Sequence, residues 1–266
     1  MVRTIRLLVV LLAFGITFAH DMWLESERFI LRKPGQEILI RNGNGTIYQK
    51  SENAVTPDRI AKLTVLDPSG EMLGIETKTV AEPWLEMPFT PQAEGNYWIG
   101  LATKPRNLRM SGEDFTEYLK HDGIPKILKE REVKGISNRE EVEQYSKYVK
   151  AYFQVGDVQS GNHAKPLGLE IEIIPLKNPY EVAAGNKLPI QVLFRGKPLS
   201  GLTLHAGSST APGSSVSTDT DQDGKAEIEL TVAGKWYVRG IHLSQVDLED
   251  HSYESYWATL TFEVKP

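Results

Sequence analysis

From Leu188 to the C-terminus, five apolar segments recur at near-even spacing: "LPIQVLFRG", "GLTLHAG", "KAEIELTV", "KWYVRGIHLS" and "SYWATLTFEV". Turn residues separate them, and such a series of short segments is the sequence form of a small Greek-key sandwich. The first half carries the same signal. "FILRK" runs into Pro-Gly, "EILIR" into "NGNG", "IAKLTVLD" into "PSG", and "NYWIGLAT" into Lys104-Pro105. The expected fold is therefore mainly β, with two Ig-like β-sandwich modules. "KNPYEVAAGNK" is the expected join, so residues 20–176 form a β-rich N-terminal domain and residues 177–266 a C-terminal Ig-like sandwich.

A helical insertion is expected over about residues 112–151. Phe115, Tyr118 and Leu119 fall at helical spacing, and so do Val142, Tyr145, Tyr148, Val149 and Tyr152. Ile124-Pro125 after Asp122-Gly123 marks a fresh helix start, and Asn138 with Glu141 three residues on has the form of a capping box.

Residues 1–19 read as a signal peptide: Arg3 and Arg6, an apolar run from Leu7, and small residues at Thr17 and Ala19. Cleavage after Ala19 makes His20 the mature N-terminus and places the protein in the periplasm or outside the cell. No later stretch is long and apolar enough to span a bilayer, so no transmembrane span is expected after processing. The net charge of -5 becomes -7 without the two signal arginines, which argues against a nucleic-acid surface. With no cysteine, a disulfide framework, a thiolate metal site and a cysteine nucleophile are excluded, and any metal must be held by nitrogen and oxygen.

An N-terminal histidine offers its α-amine and its Nδ1 to one metal ion, closing a chelate ring that an internal histidine cannot form. The amine titrates at about 7.7 to 8.0, so its lone pair is accessible near neutrality. Such a pair suits nickel, cobalt or copper. Of the five other histidines, His242 and His205 lie on expected strands. His163 and His251 lie in expected loops, and His121 follows the first helix. The expected metal ligands are His20, His242, Asp21 and His205. "TDTDQDGKAEIEL" starts like a calcium loop, but its twelfth position is Leu230, so Asp223-Gly224 is expected to be a hairpin turn. There is no G-x-S-x-G, H-E-x-x-H or P-loop pattern, and no catalytic residue is assigned.

"AHDMWLE", "YWIGLATKPR", "FTEYLKHDGI", "YSKYVKAYFQVGD", "PLGLEIEIIPLKNPY", "LPIQVLFRGKPLSG", "TDQDGKAEIEL" and "SYWATLTFEV" together resemble the bacterial family filed as domain of unknown function 4198. The resemblance spans nearly the whole mature chain. It implies an exported β-rich protein similar to periplasmic components associated with nickel and cobalt uptake. His20, Asp21, Trp23 and Leu24 fit its opening motif, and Arg239 to His242 its R-x-x-H strand.

The expected function is a non-enzymatic periplasmic binding protein for a divalent transition metal, nickel or cobalt with copper as a further candidate. Its expected partners are the metal ion and a membrane metal transporter, not nucleic acid. Two other classes are carried beside it: a copper-dependent redox enzyme with an N-terminal histidine brace, and a noncatalytic adhesion or carbohydrate-contact module.

Overall fold

The computed structural model describes residues 20–75 and 78–265, so the expected signal peptide lies outside the described residues. The chain opens with β1 (Asp21–Ser26), β2 (Ile30–Leu31), β3 (Ile38–Thr46), β4 (Lys50–Ser51), a 3-10 turn at Pro57–Arg59 and β5 (Ile60–Leu66). It continues through β6 (Met72–Leu73), β7 (Thr79–Ala81), β8 (Trp84–Phe89), β9 (Gly95–Thr103) and β10 (Arg106–Met110). Two helices follow, α1 (Gly112–His121) and α2 (Pro125–Val133), then β11 (Glu141–Val155), β12 (Ile171–Pro175), β13 (Asn186–Phe194) and β14 (Lys197–Pro198). The last strands are β15 (Thr203–Ser208), β16 (Ser215–Asp219), β17 (Lys225–Leu230), β18 (Gly234–Gln245) and β19 (Tyr253–Val264). The protein is mainly β, with an Ig-like sandwich architecture.

A ten-stranded sheet organises the molecule in the order β16-β15-β18-β19-β11-β9-β5-β6, with β10 and β2 also pairing with β11. Parallel pairing of β11 with β19, from Glu143 opposite Tyr253 to Ala151 opposite Thr261, carries the sheet across the sequence position of the expected join. Because side chains alternate along each strand, the sheet presents two faces. Tyr148, Tyr152, Leu204, Val238 and Leu260 point to one, where they pack against Leu188, Ile190 and Val192 of the four-stranded β12-β13-β14-β17 sheet. Val149, Ala151 and Phe153 point to the other and meet Met22, Leu24 and Ile40 of the β1-β3-β8-β7 sheet, which β4 joins at β3. Farther along this second face, Ile241, Tyr253 and Trp257 pack against Phe115, Tyr118 and Leu119 of α1. Each large apolar side chain buried in these cores contributes about 1.5–3 kcal/mol.

The first helix forms where the apolar spacing of Phe115, Tyr118 and Leu119 predicts, and the second where Ile124-Pro125 marks a start. The Ser111 hydroxyl caps α1 by accepting from the Asp114 amide, and Pro125 opens α2. The expected helix beyond Asn138 is a strand instead. Glu141 does not bond back to Asn138: its carboxylate pairs with the buried guanidinium of Arg131 and with Arg139, while Arg131 also donates to the carbonyls of Ile136, Ser137 and Arg139. This cluster ties α2 to the start of β11 and leaves the following residues free to enter the sheet. From Ser146 onward β11 is buried throughout, so apolar and polar residues occur on both faces alike and no period of two survives.

Two expected turns are also resolved differently. "NGNG" lies inside β3, where Asn42 donates to the Trp23 carbonyl and Gly43 makes room for the Trp23 ring, which a Cβ would approach to 2.4 Å. Asp223-Gly224 lies in a tight turn, with Asp221 Oδ1 accepting from the amides of Asp223 and Lys225. That turn is not a hairpin, because β16 pairs with β15 and β17 with β13, in different sheets.

Candidate functional site

The second face of the large sheet is apolar where β1 and β3 cover it and apolar again beneath α1. Between these cores β11 and β18 present charged side chains. Glu143 and Lys147 alternate on one side of β11, with Trp257 beside Lys147 on β19, and Arg239 stands on the same face of β18. Asp21 approaches from β1 and Asp122 from the C-cap of α1. Arg239 joins them: its Nε lies 3.3 Å from Asp21 Oδ2 and its Nη1 3.6 Å from Asp122 Oδ1.

Burial sets the electrostatics of this cluster. It pushes the Asp122 carboxyl up to about 6 against the attraction of Arg239, with Asp21 adding to the rise. It pushes Glu143 up to about 7 against the opposing influence of the nearby Ser255 and Tyr118 hydroxyls, the latter donating to it at 3.0 Å. It brings Lys147 down to about 8 against the pull of Asp21 and Asp122. Asp21 is raised by the same desolvation, opposed first by Arg239. Each shift follows from removing the charged form from water.

His20 lies at the outer edge of this cluster. Its carbonyl accepts from Lys147 Nζ, which also donates to Asn44 Oδ1 at 3.0 Å. Its ring Nε2 is 3.1 Å from Glu52 Oε2, the contact a carboxylate makes with a ring N–H. Nε2 is thus engaged, and Nδ1 has no partner among the described residues. His20 borders a cavity of about 440 Å³ whose wall includes Asn44, Asn53, Thr103, Tyr145, Lys147 and two arginines, Arg59 and Arg106.

The four expected ligands are not brought together. Asp21 neighbours His20 but is engaged by Arg239. His205 stands opposite Arg239 on β15, and its ring lies against Gly123, whose φ of +70° and missing Cβ admit Nε2 to a point 2.5 Å from where a Cβ would be. His242, three residues past Arg239, points to the opposite face, with its ring 4.6 Å from that of Phe194 and its Nε2 3.3 Å from Ser244 Oγ. Partial burial lowers the pKa of both histidines, which favours their neutral form. Among the described residues, no group of three or more His, Asp or Glu side chains could hold a metal. Expectation from sequence passed over Glu52, Lys147, Arg59 and Arg106. The available signal was the pair of lysines in "YSKYVKAYF", which a period of two places on opposite faces of a strand.

A family model described as "Domain of unknown function (DUF4198)" matches residues 17–244. No curated protein matches the chain. Among solved structures, the chain is similar to the tetra-tandem repeat in the extending region of a large adhesion protein, at 10% identity and a TM-score of 0.27, covering 93% of this chain. The chain spans 50% of that structure's length. It is also similar to the D0-D1 domain of intimin, at 12% identity and a TM-score of 0.25, covering 91% of this chain and 97% of that one. A two-domain fibronectin type III segment from chicken tenascin is similar at 14% identity and a TM-score of 0.22, covering 88% and 95% respectively.

Proposed function

We propose, for a chain that belongs to the DUF4198 family, that it is an exported binding protein that captures a divalent transition metal ion at its mature N-terminus and passes it to a membrane transporter. One observation carries the reading: His20 borders an open cavity with Nε2 against Glu52 and Nδ1 unengaged among the described residues. Cleavage after Ala19 would add the free amine, and amine plus Nδ1 is the pair that closes a chelate ring. A ligating histidine commonly gives its other ring N–H to a carboxylate, which fixes the tautomer and raises ligand basicity. Glu52 is placed for that role. Nitrogen donors without thiolate suit nickel, cobalt and copper.

His205 and His242 drop out of the ligand set, because one ring lies against Gly123 and the other among Phe194 and Tyr256. A copper brace, which needs a second histidine at the same ion, therefore has less support than simple capture. The remaining coordination positions fall to water, to neutral amides such as Asn44, or to a small molecule arriving with the ion.

Calorimetry with Ni(II) and Cu(II) tests the reading on three proteins: the chain starting at His20, the same chain with one alanine added before His20, and His20→Ala. Separating amine from imidazole should weaken binding at least about 100-fold, or roughly 3 kcal/mol at about 1.4 kcal/mol per tenfold. Equal affinity for the normal and extended chains would remove the N-terminal chelate.

A further inference from the structure

We infer that the cavity beside His20 binds a small organic polycarboxylate, with Arg59, Arg106 and Lys147 as its counter-charges. Three separate elements deliver these cations to one concavity: the 3-10 turn at Pro57–Arg59, β10 and β11. No Asp or Glu is among the cavity's wall residues.

None of the three cations has a carboxylate within ion-pair distance among the described residues. Arg59 reaches only the Pro105 carbonyl at 3.4 Å and lies over the Tyr145 ring at 5.8 Å. Arg106 is exposed on β10 and makes neither a hydrogen bond nor an ion pair among the described residues. Lys147 spends two of its donors on the His20 carbonyl and Asn44 Oδ1. Several other arginines do have a carboxylate partner: Arg41 pairs with Glu86, Arg109 with Glu140 and Arg139 with Glu141. In a chain of net charge -5, three cations converge on one cavity whose wall holds no carboxylate; Asp21 and Asp122 attract Lys147 from behind the wall, and the two arginines face the cavity without an ion pair among the described residues, an arrangement that suits an anion.

The rest of the wall indicates what kind of anion. Thr103 Oγ1 accepts from the Lys147 amide at 2.9 Å, which leaves its own proton to donate. Met22, Val55, Leu108 and the Tyr145 ring supply apolar wall, which a carbon skeleton covers and a bare inorganic ion does not. A volume of about 440 Å³ matches a small metabolite, and two guanidinium forks and an ammonium match two or three carboxylates. The inference goes beyond the metal reading and does not depend on it, since it requires neither the amine of His20 nor an ion.

The test is calorimetry of the metal-free chain starting at His20 against citrate, with inorganic phosphate as the comparison. Citrate should bind saturably and at least about tenfold tighter than phosphate, and its affinity should fall as salt is raised. Arg59→Gln and Arg106→Gln should each weaken citrate about tenfold or more. Lys104→Gln, an exposed lysine outside the wall, should leave it unchanged. Both arginines are at least partly exposed, so circular dichroism and melting temperature should stay at wild-type values. No saturable citrate binding, citrate binding that survives the double arginine variant, or phosphate binding as tightly as citrate would each overturn the proposal. Because no metal is present, these outcomes are independent of those with Ni(II).

Discussion

Glu143 offers a direct measure of how strongly the buried polar cluster couples to pH. Its side chain is inaccessible to solvent; Oε1 accepts from the Tyr118 hydroxyl, and Oε2 has no hydrogen-bond partner among the described residues. Burial raises its pKa from the ordinary 4.5 to about 7. A native carboxyl with a raised pKa holds a proton that the unfolded chain has already released. Its stabilising effect is therefore complete below pH 4.5 and is lost as pH rises through about 7. At about 1.4 kcal/mol per pH unit, the interval is worth roughly 3 kcal/mol. Glu143→Gln keeps a neutral acceptor for Tyr118 and cannot ionise. Urea unfolding followed by tryptophan fluorescence from pH 5 to 8 should show wild-type stability falling with pH. The fall should be about 2–3 kcal/mol smaller in the variant. Asp122, raised to about 6 by burial, adds a slope of the same sign, so some pH dependence should remain. Parallel curves for the two proteins would refute the assignment of a buried, proton-holding Glu143.

Gly43→Ala should destabilise the protein by about 2 kcal/mol or more, since the new Cβ would meet the buried Trp23 ring at 2.4 Å; an unchanged urea midpoint would show that the ring can move aside. Arg131→Met should cost about 3–5 kcal/mol by leaving Glu141 without its buried partner, and adding Glu141→Gln should restore part of that loss in the same assay. Asp221→Ala removes the acceptor of two backbone amides and should cost about 1 kcal/mol. Millimolar calcium should leave the melting temperature of both wild type and Asp221→Ala unchanged, and a calcium-dependent rise lost in the variant would reassign this turn as an ion site.

The strands after Leu188 were legible because most keep a solvated side: β17 alternates between exposed and less exposed residues, and β13 alternates over most of its length. β11 was not, because it lies between β9 and β19 and is covered on both faces, so packing on each side erases the alternation that marks a strand. The loss extended from the fold to the site. On a helix, Glu143 and Lys147 are four apart and form an ordinary solvated pair. On a strand they share a face with Val149 and Ala151, in the core, where a charge needs a partner or a ligand. For His242 the strand was legible and its face was not, since the side that receives the ring depends on β13 packing there with Phe194. The cavity cations had no local signal, because Arg59, Arg106 and Lys147 become neighbours only through antiparallel pairing of β5 with β9 and of β10 with β11. A net charge of -5 sums over the whole chain and conceals a concentration of opposite sign. What a ligand meets is the local field, and at the His20 cavity three cations share a wall that holds no carboxylate, with the acidic groups Asp21 and Asp122 set behind Lys147.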